Sequence, residues 1–391
     1  MFENNVEIRR KSCYIIDELR SIYILWGGNI MIDAKICEWL MDNADAPIRY
    51  RVSRELLMDK QATKDIEKEL TDNPLILFWL KNLKPESPPQ HHYMEHGSFN
   101  FCLENAILKA IQLGLHAQLP QVTDAIAYYI DKIESIPSRK PVRNCDFRTG
   151  FVHILTSNLL TLAGVDNEAL SIFMRSSLDE MYRFVQKNDY DIYCTEEERA
   201  ELKGVPKVWR ERKFIKRSLL YEHGFCYPLI YDIVGLHMLY GLNDQEITDK
   251  VNAVVDYIST DIFHNIIAEG YGIMSLDNKK YYAMGWDPKY PGWYDVAGYL
   301  KTQYAPNLLF FAQFITKYPI ARETKWYNDL LFCLEKYRTD NGTYLFPPGW
   351  LRESQGYAVM GSHLSFGENR KKKNWREIES TFYIQLLQNN F

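Results

Sequence analysis

Four times along the chain an almost wholly apolar segment runs into a short turn and then into a helix with one polar face. The units are FCLENAILKAIQLGL with VTDAIAYYIDKI, GFVHILTSNLLTLAG with SIFMRSSLDEMYRFV, YPLIYDIVGLHMLYGL with EITDKVNAVVDYI, and APNLLFFAQFITKYP with TKWYNDLLFCLEKY. In the third unit Leu229, Ile230, Ile233, Val234, Leu236, Met238 and Leu239 point nearly all round the axis, so that helix must be buried on most sides. Its successor keeps Ile247, Val251, Val254, Val255 and Ile258 on one stripe and faces solvent on the other. Gly114, Gly164 and Gly241 fall where a left-handed helix C-cap favours glycine, and Pro319 stops the fourth apolar helix.

Alternation of buried and half-buried helices predicts two concentric layers. An α-solenoid also stacks helix pairs, but at one fixed period of about 33 to 47 residues. Here the glycines are unevenly spaced and polar insertions occupy 187–222 and 265–297. A closed toroid carries such insertions on its rims, so the expected fold is a single all-α, (α/α)6-type toroid with inner and outer helix rings. Residues 9–25 and 30–41 read as an N-terminal helical hairpin (within 1–45) packed on it; 47–57 opens with proline at a helical N1 position, and 374–388 closes the chain as a helix. Strand signals are nearly absent.

With 391 residues and 46% hydrophobic content, the chain can fill a large core. A net charge of −5 leaves no basic footprint, so nucleic acid is not an expected partner. No run of 18 apolar residues predicts a membrane span, and the N-terminus lacks the apolar segment of a signal peptide. Seven scattered cysteines without a CxxC pair read as reduced thiols in a cytoplasmic protein. Aromatics reach 14%, which suits an aromatic-lined cavity.

APIRYRVSRELL at 46–57 resembles the opening motif of bacterial proteins of the terpenoid cyclase and prenyltransferase α/α-toroid group. HGFCYPLIYDIVGLHML resembles that group's inner helix, and YRTDNGTYLF followed by NWREIEST is similar to its glycine-aromatic repeat and "E-S-T" helix. The resemblance covers most of the chain and implies a central cavity for an isoprenoid or other hydrophobic ligand. It departs from the group at its chemistry. The D-x-D-D acid of the cyclases is missing, with NDYD (Asp189, Asp191) the nearest approach, and so is the D-x-C step of the zinc prenyltransferases. A non-catalytic binding or scaffold toroid is therefore the rival reading.

Candidate chemistry falls in four places. Asp232, the single acid of its apolar helix, is an acid–base candidate together with His223; desolvation beside a cavity raises such a carboxyl. The plainer reading makes it a buried structural partner. His223 and Cys226 have metal-ligand spacing, His237 lies about 16 Å farther along a helix, and a zinc site would draw Cys145 and His153 from NCDFRTGFVH. Arg51 and Arg54, with Glu55 one turn beyond Arg51, suit either ion pairing or diphosphate binding, and Arg370 and Lys371, with His363 nearby, suit an anionic ligand at the rim. Asn374 and Glu377 read as a capping box after that charge run. Tyr231, Trp286 and Trp293 are ligand-binding candidates. The last two belong to the loop 285–299, whose Asp287 and Asp295 also fit a glycan-processing (α/α)6 enzyme.

Overall fold

A computed structural model of the chain describes residues 33–84, 95–135, 147–221, 224–268, 270–275 and 280–389. The first helix of the expected hairpin, 9–25, lies outside these residues, as do His223 and Cys145, while its partner, expected over 30–41, is described from residue 33 and forms α1. The chain is mostly helical. In order it forms α1 (Ala34–Asn43), α2 (Ala46–Arg51, continued by a π-helical turn Val52–Leu56), α3 (Lys60–Thr71), α4 (Pro74–Leu83), α5 (Leu103–Gln112), α6 (Pro120–Ser135), α7 (Phe147–Leu162) and α8 (Glu168–Val185). There follow α9 (Glu196–Ala200), α10 (Ile230–Leu236), α11 (Gln245–Ile258), α12 (Asp261–Ile266), α13 (Val296–Tyr299), α14 (Ala305–Ile315), α15 (Pro319–Arg322), α16 (Lys325–Glu335) and α17 (Trp375–Gln388).

Each apolar segment of the sequence is a buried helix. All seven residues of α10 are buried, as are Leu103 to Ala110 of α5 and Ile378 to Leu387 of α17. These helices neighbour one another in chain order: α5 packs on α7, α7 on α10, α10 on α14, α14 on α17, and α17 on α1. Their amphipathic partners form a second series, α6 on α8 and α8 on α11, which reaches α16 through the short α15; α4 packs on α6 before it. Val251, Val254 and Val255 of α11 turn inward as their stripe predicts.

Local signals hold in part. Gly114 and Gly164 take the left-handed conformation after their helices, whereas the third helix runs on as a 3-10 turn, His237–Leu242, and ends on Asn243 in that conformation instead of Gly241. Asparagine tolerates this backbone better than other side chains with a Cβ. Asn374 precedes α17 without a side-chain capping bond, and Glu377 accepts the Thr343 hydroxyl at 2.5 Å. The polar insertions, read as strand-free, hold short strands. β1 (Phe214–Ile215) pairs in parallel with β4 (Gly272–Ser275), which pairs antiparallel with β5 (Tyr281–Met284), while β2 (Leu220–Tyr221) and β3 (Gly224–Phe225) form an antiparallel pair. Strands of two to four residues are too short for a readable alternation.

The Glu379-Ser380-Thr381 run has a clear structural task. Glu379 Oε1 accepts from the Phe366 and Glu368 amides, Ser380 Oγ from Phe346 N at 3.0 Å, and Thr381 Oγ1 from Tyr344 N at 2.8 Å. Three successive side chains thus satisfy the buried backbone of two loops. The same region latches onto the start of the described chain. Glu368 accepts from Asp45 N, Asp45 accepts from Asn369 N and pairs with Lys372, and Asn389 donates to Glu55 O.

Candidate functional site

The helix ends surround a cavity of about 430 Å³. Gln112 ends α5, Leu162 ends α7 and is followed by Ala163 and Gly164, His237 and Met238 follow α10, Gln313 and Phe314 lie in the last turn of α14 with Lys317 just past it, and Leu386 lies in the last turn of α17. Arg51, Arg54 and Glu55 add the end of the α2 segment. The wall is apolar at Leu108, Ile111, Leu162, Phe310, Phe314 and Leu386, and charged at one end.

At that end three cations face one carboxylate. Glu55 receives Arg51 at 2.7 Å and Arg54 at 2.5 Å, while the same guanidinium groups donate to the terminal carbonyls Gln112 O and Gly114 O. Burial alone pushes Glu55 up, but Arg51 and Arg54, with Lys317, outweigh it and hold the carboxyl at about 2. The positive field reaches the other groups. Burial lowers the Lys317 ammonium to about 8 against the pull of Glu55, and Arg51, Arg322 and Arg54 add to the lowering. Burial and then Lys317 hold His237 at about 3, and burial and then Arg54 lower His116.

His363 also lines the cavity. Residues 352–364 double back on themselves, with Leu364 N donating to Arg352 O and Ser354 N to Ser362 O, both at 2.9 Å. At the bend Gly361 has φ +73°, and a Cβ there would stand 2.2 Å from Pro306 O at the start of α14, so glycine permits both the turn and the contact. This fold brings Ala358 and His363 into the cavity wall. His363 Nδ1 lies 2.7 Å from Glu353 Oε1, and its ring packs edge-on to Trp79. Glu353 Oε2 also accepts from Lys109 Nζ and Ser365 Oγ, each at 2.5 Å. Lys109 completes its three bonds on the Ser365 carbonyl and hydroxyl at 2.6 Å. Burial pushes Glu353 up, but Lys109 and the bonds from His363 and Ser365 hold it at about 2. His363 Nδ1 thus faces that carboxylate, which leaves Nε2 as the other ring nitrogen. That Nε2 is buried and has no hydrogen-bond partner, as is Gln313 Nε2 elsewhere in the wall.

Of the residues singled out in sequence, Arg51, Arg54, Glu55, His237 and His363 line this cavity, and the other candidates fall elsewhere. Arg370 donates to Leu351 O and Glu379 Oε2 and stacks on Trp375, while Lys371 is exposed; neither lines it. Asp232 is buried but also absent from the wall. It accepts from Leu229 N at 2.8 Å and Asn158 Nδ2 at 2.9 Å, and burial raises it to about 7. Its carboxylate caps its own helix, which corrects the expectation of a cavity-facing acid. Cys226 donates to Leu219 O at 3.3 Å and His153 packs on Phe173; among the described residues no three His, Cys, Asp or Glu side chains gather as metal ligands.

Tyr231 and Trp286 do meet, in a separate aromatic cluster. Trp286 stacks on Phe151 with ring centres 3.6 Å apart, both meet His96 edge-on, and the Tyr231 hydroxyl is 3.3 Å from His96 Nδ1. The buried Glu104 holds that ring at 2.6 Å. Trp293 is apart from them, stacked on His264 and bonded to Asp261. The two loop acids are engaged singly, Asp287 by the Tyr227 hydroxyl at 2.9 Å and Asp295 by Gly298 N at 2.7 Å. Sequence reasoning missed Glu104 and Lys109, although each is a lone charge in the apolar run FCLENAILKAIQLGL, the signal that singled out Asp232.

Comparison with known proteins finds no family model that matches the chain, and no match among curated proteins or solved structures. No helix among the described residues is long and apolar enough to cross a membrane.

Proposed function

We propose that this chain is an α/α-toroid protein of the terpenoid cyclase and prenyltransferase-like kind that binds an amphiphile, an isoprenoid-type tail carrying an anionic head, in its central cavity. Two series of helices, each in contact with the next, support the double ring. The observation that carries the ligand reading is the charged end of the cavity. Arg51, Arg54 and Lys317 face the single carboxylate Glu55 there; burial is the main cause that lowers His116, His237 and Lys317, and the neighbouring cations add to it. A phosphate or diphosphate relieves that repulsion through charge-assisted bonds to the guanidinium groups. The apolar wall takes the tail, and about 430 Å³ is within the range of small-molecule sites. With Asp232 spent on its own helix, the reading is of a binding site, and it assigns no acid of the cyclase type.

Calorimetry with farnesyl diphosphate, farnesol and inorganic diphosphate tests it. Farnesyl diphosphate binds tightest, and Arg54→Ala with Lys317→Met weakens it more than farnesol. Equal affinity for farnesol and farnesyl diphosphate removes the anionic head from the proposal, and no binding of any of them removes the ligand class.

A further inference from the structure

We propose that the starts of α5, α7 and α10 frame a second site, in which His96 acts as a general base on an uncharged, ring-shaped substrate and Glu104 is its positioning residue. The inference goes beyond the amphiphile reading and does not rest on it. Glu104 stands in the first turn of α5 and Tyr231 in the first turn of α10, whereas the cavity is lined by Gln112 and His237 at the far ends of these helices. None of His96, Glu104, Tyr231, Trp286 or Tyr357 lines that cavity.

The pair is built in a way that stability alone does not favour. The Glu104 side chain has no exposed surface, and it holds His96 Nδ1 at 2.6 Å. Burying a carboxyl group is costly, and a partner ring that is itself 25% exposed offsets only part of that cost. Both hydrogen-bond contacts of the ring, Glu104 and the Tyr231 hydroxyl at 3.3 Å, fall on Nδ1. Nε2 has no protein partner among the described residues and is open to solvent. Burial, and then Glu104, push the Tyr231 hydroxyl well above its ordinary value, so Tyr231 keeps its proton and the imidazole is the group that can exchange one.

The ring is held from two parts of the chain. Glu104 N donates to Glu95 O at 3.0 Å, which ties the segment before His96 to α5. The buried Asn105 donates to Gly97 O and Gly356 O, each at 3.0 Å, and accepts from Ala358 N at 2.8 Å. It thereby sets Tyr357 beside His96, with ring centres 5.2 Å apart. Trp286 and Phe151 meet the imidazole edge-on, and the Ile230 amide fixes the Trp286 carbonyl at 2.7 Å. Trp286 is half-buried and Tyr357 exposed, so accessible aromatic surface flanks the imidazole. Among the described residues Glu104 is the only charged side chain paired with His96. Such walls favour a substrate with an apolar face over an ionic one. A carboxyl group on Nδ1 fixes the ring and offsets the positive charge it gains when Nε2 takes a proton. The step this arrangement serves is removal of a proton from a C–H or O–H of the substrate.

5-Nitrobenzisoxazole, a planar uncharged ring, tests this in the full chain. Nε2 removes the proton from C3, the C–H electrons form the nitrile, the N–O bond breaks, and the negative charge leaves on the phenolate oxygen; water then takes the proton from the imidazolium. The wild-type protein turns the probe over with saturation, and kcat/KM rises with pH to a plateau as Nε2 loses its proton. His96→Gln lowers kcat/KM about 100-fold or more, and Glu104→Gln lowers kcat about tenfold with KM little changed. Tyr357→Ala raises KM instead. ¹⁵N spectra of the histidine rings in the wild-type protein place the His96 titration at the midpoint of the kcat/KM profile, a readout that needs no variant. Absence of saturable turnover between pH 5 and 9, or turnover that survives in His96→Gln, overturns the site. A midpoint that differs from the His96 titration overturns His96 as the base, and a Glu104→Gln rate and profile equal to wild type overturn the positioning role.

Discussion

Asn158 donates its side-chain amide to Asp232 Oδ1 at 2.9 Å, joining α7 to α10 where the two helices are buried against each other. The bond and the Leu229 amide favour the carboxylate, yet burial dominates and raises Asp232 from 3.8 to about 7. An acid raised on folding is protonated in the folded chain at pH values where the unfolded chain has already lost the proton. Asp232 therefore withdraws stability as pH rises from about 4 to about 7. Asp232→Asn removes this contribution, so urea midpoints of wild type and variant, measured from pH 4 to 8, diverge in favour of the variant as pH rises. A constant difference across that range refutes the assignment.

The same contact predicts the effect of a single methyl. A Cβ on Gly235 would stand 2.3 Å from Asn158 Oδ1 and 2.9 Å from its Cβ, too close for the short side chain to evade. Gly235→Ala lowers stability by about 1–3 kcal/mol through overpacking, despite alanine's better helix propensity. Gly235→Ala combined with Asn158→Ala recovers part of the loss in a denaturation cycle; additive losses would show that the clash is elsewhere.

Lys317 holds its proton less tightly in the folded chain, at about 8 against 10.5. Its charge opposes folding fully below pH 8, and that opposition fades between pH 8 and 10.5, where the folded chain has released a proton the unfolded chain keeps. Lys317→Met is thus more stable than wild type by roughly 1–3 kcal/mol at pH 7, a margin that shrinks toward pH 10.5. An anion bound beside the ammonium restores its proton. Calorimetry of phosphate-headed ligands at pH 8.5, in buffers of different ionisation enthalpy, then records proton uptake, which Lys317→Met abolishes.

Glu353 gives the opposite slope. Held at about 2 in the folded chain against 4.5 otherwise, it stabilises fully above about pH 4.5 and loses that contribution as pH falls toward 2. Glu353→Gln flattens the acid limb of the stability curve. Lys109→Met, which takes the ammonium from a Glu353 that is still partly exposed and bonded to Ser365, lowers stability at pH 7 by about 1–3 kcal/mol. Tm measured against pH for both variants checks the pair, and an unchanged acid limb in Glu353→Gln contradicts it.

The sequence carried the helices well because burial leaves a period in it. Ile247, Val251, Val254 and Val255 pack as their stripe requires, and the all-round apolar run at 229–236 is a wholly buried helix. The cavity was less legible because its wall is assembled from residues at the ends of helices far apart in the chain, which no local pattern links. Arg51 and Glu55 were readable as an ion pair one turn apart, but their company with Lys317 was not. Asp232 drew attention as a lone acid in an apolar helix; a backbone amide and Asn158 occupy it, partners that spacing does not reveal. His363 was noticed beside the charge run 370–373, yet it belongs with Lys109 of α5, brought there by the bend at Gly361.

The latch of Asp45 to Glu368, Asn369 and Lys372 spans more than three hundred residues of chain. Pairings of such separation close late in folding, after the local helix pairs have formed. The cavity draws its wall from Arg51 through Leu386, so it is not closed until α17 has docked. Under the amphiphile proposal, binding then waits on a contact made far along the chain: a copy whose α17 is undocked has an open wall where Leu386 belongs.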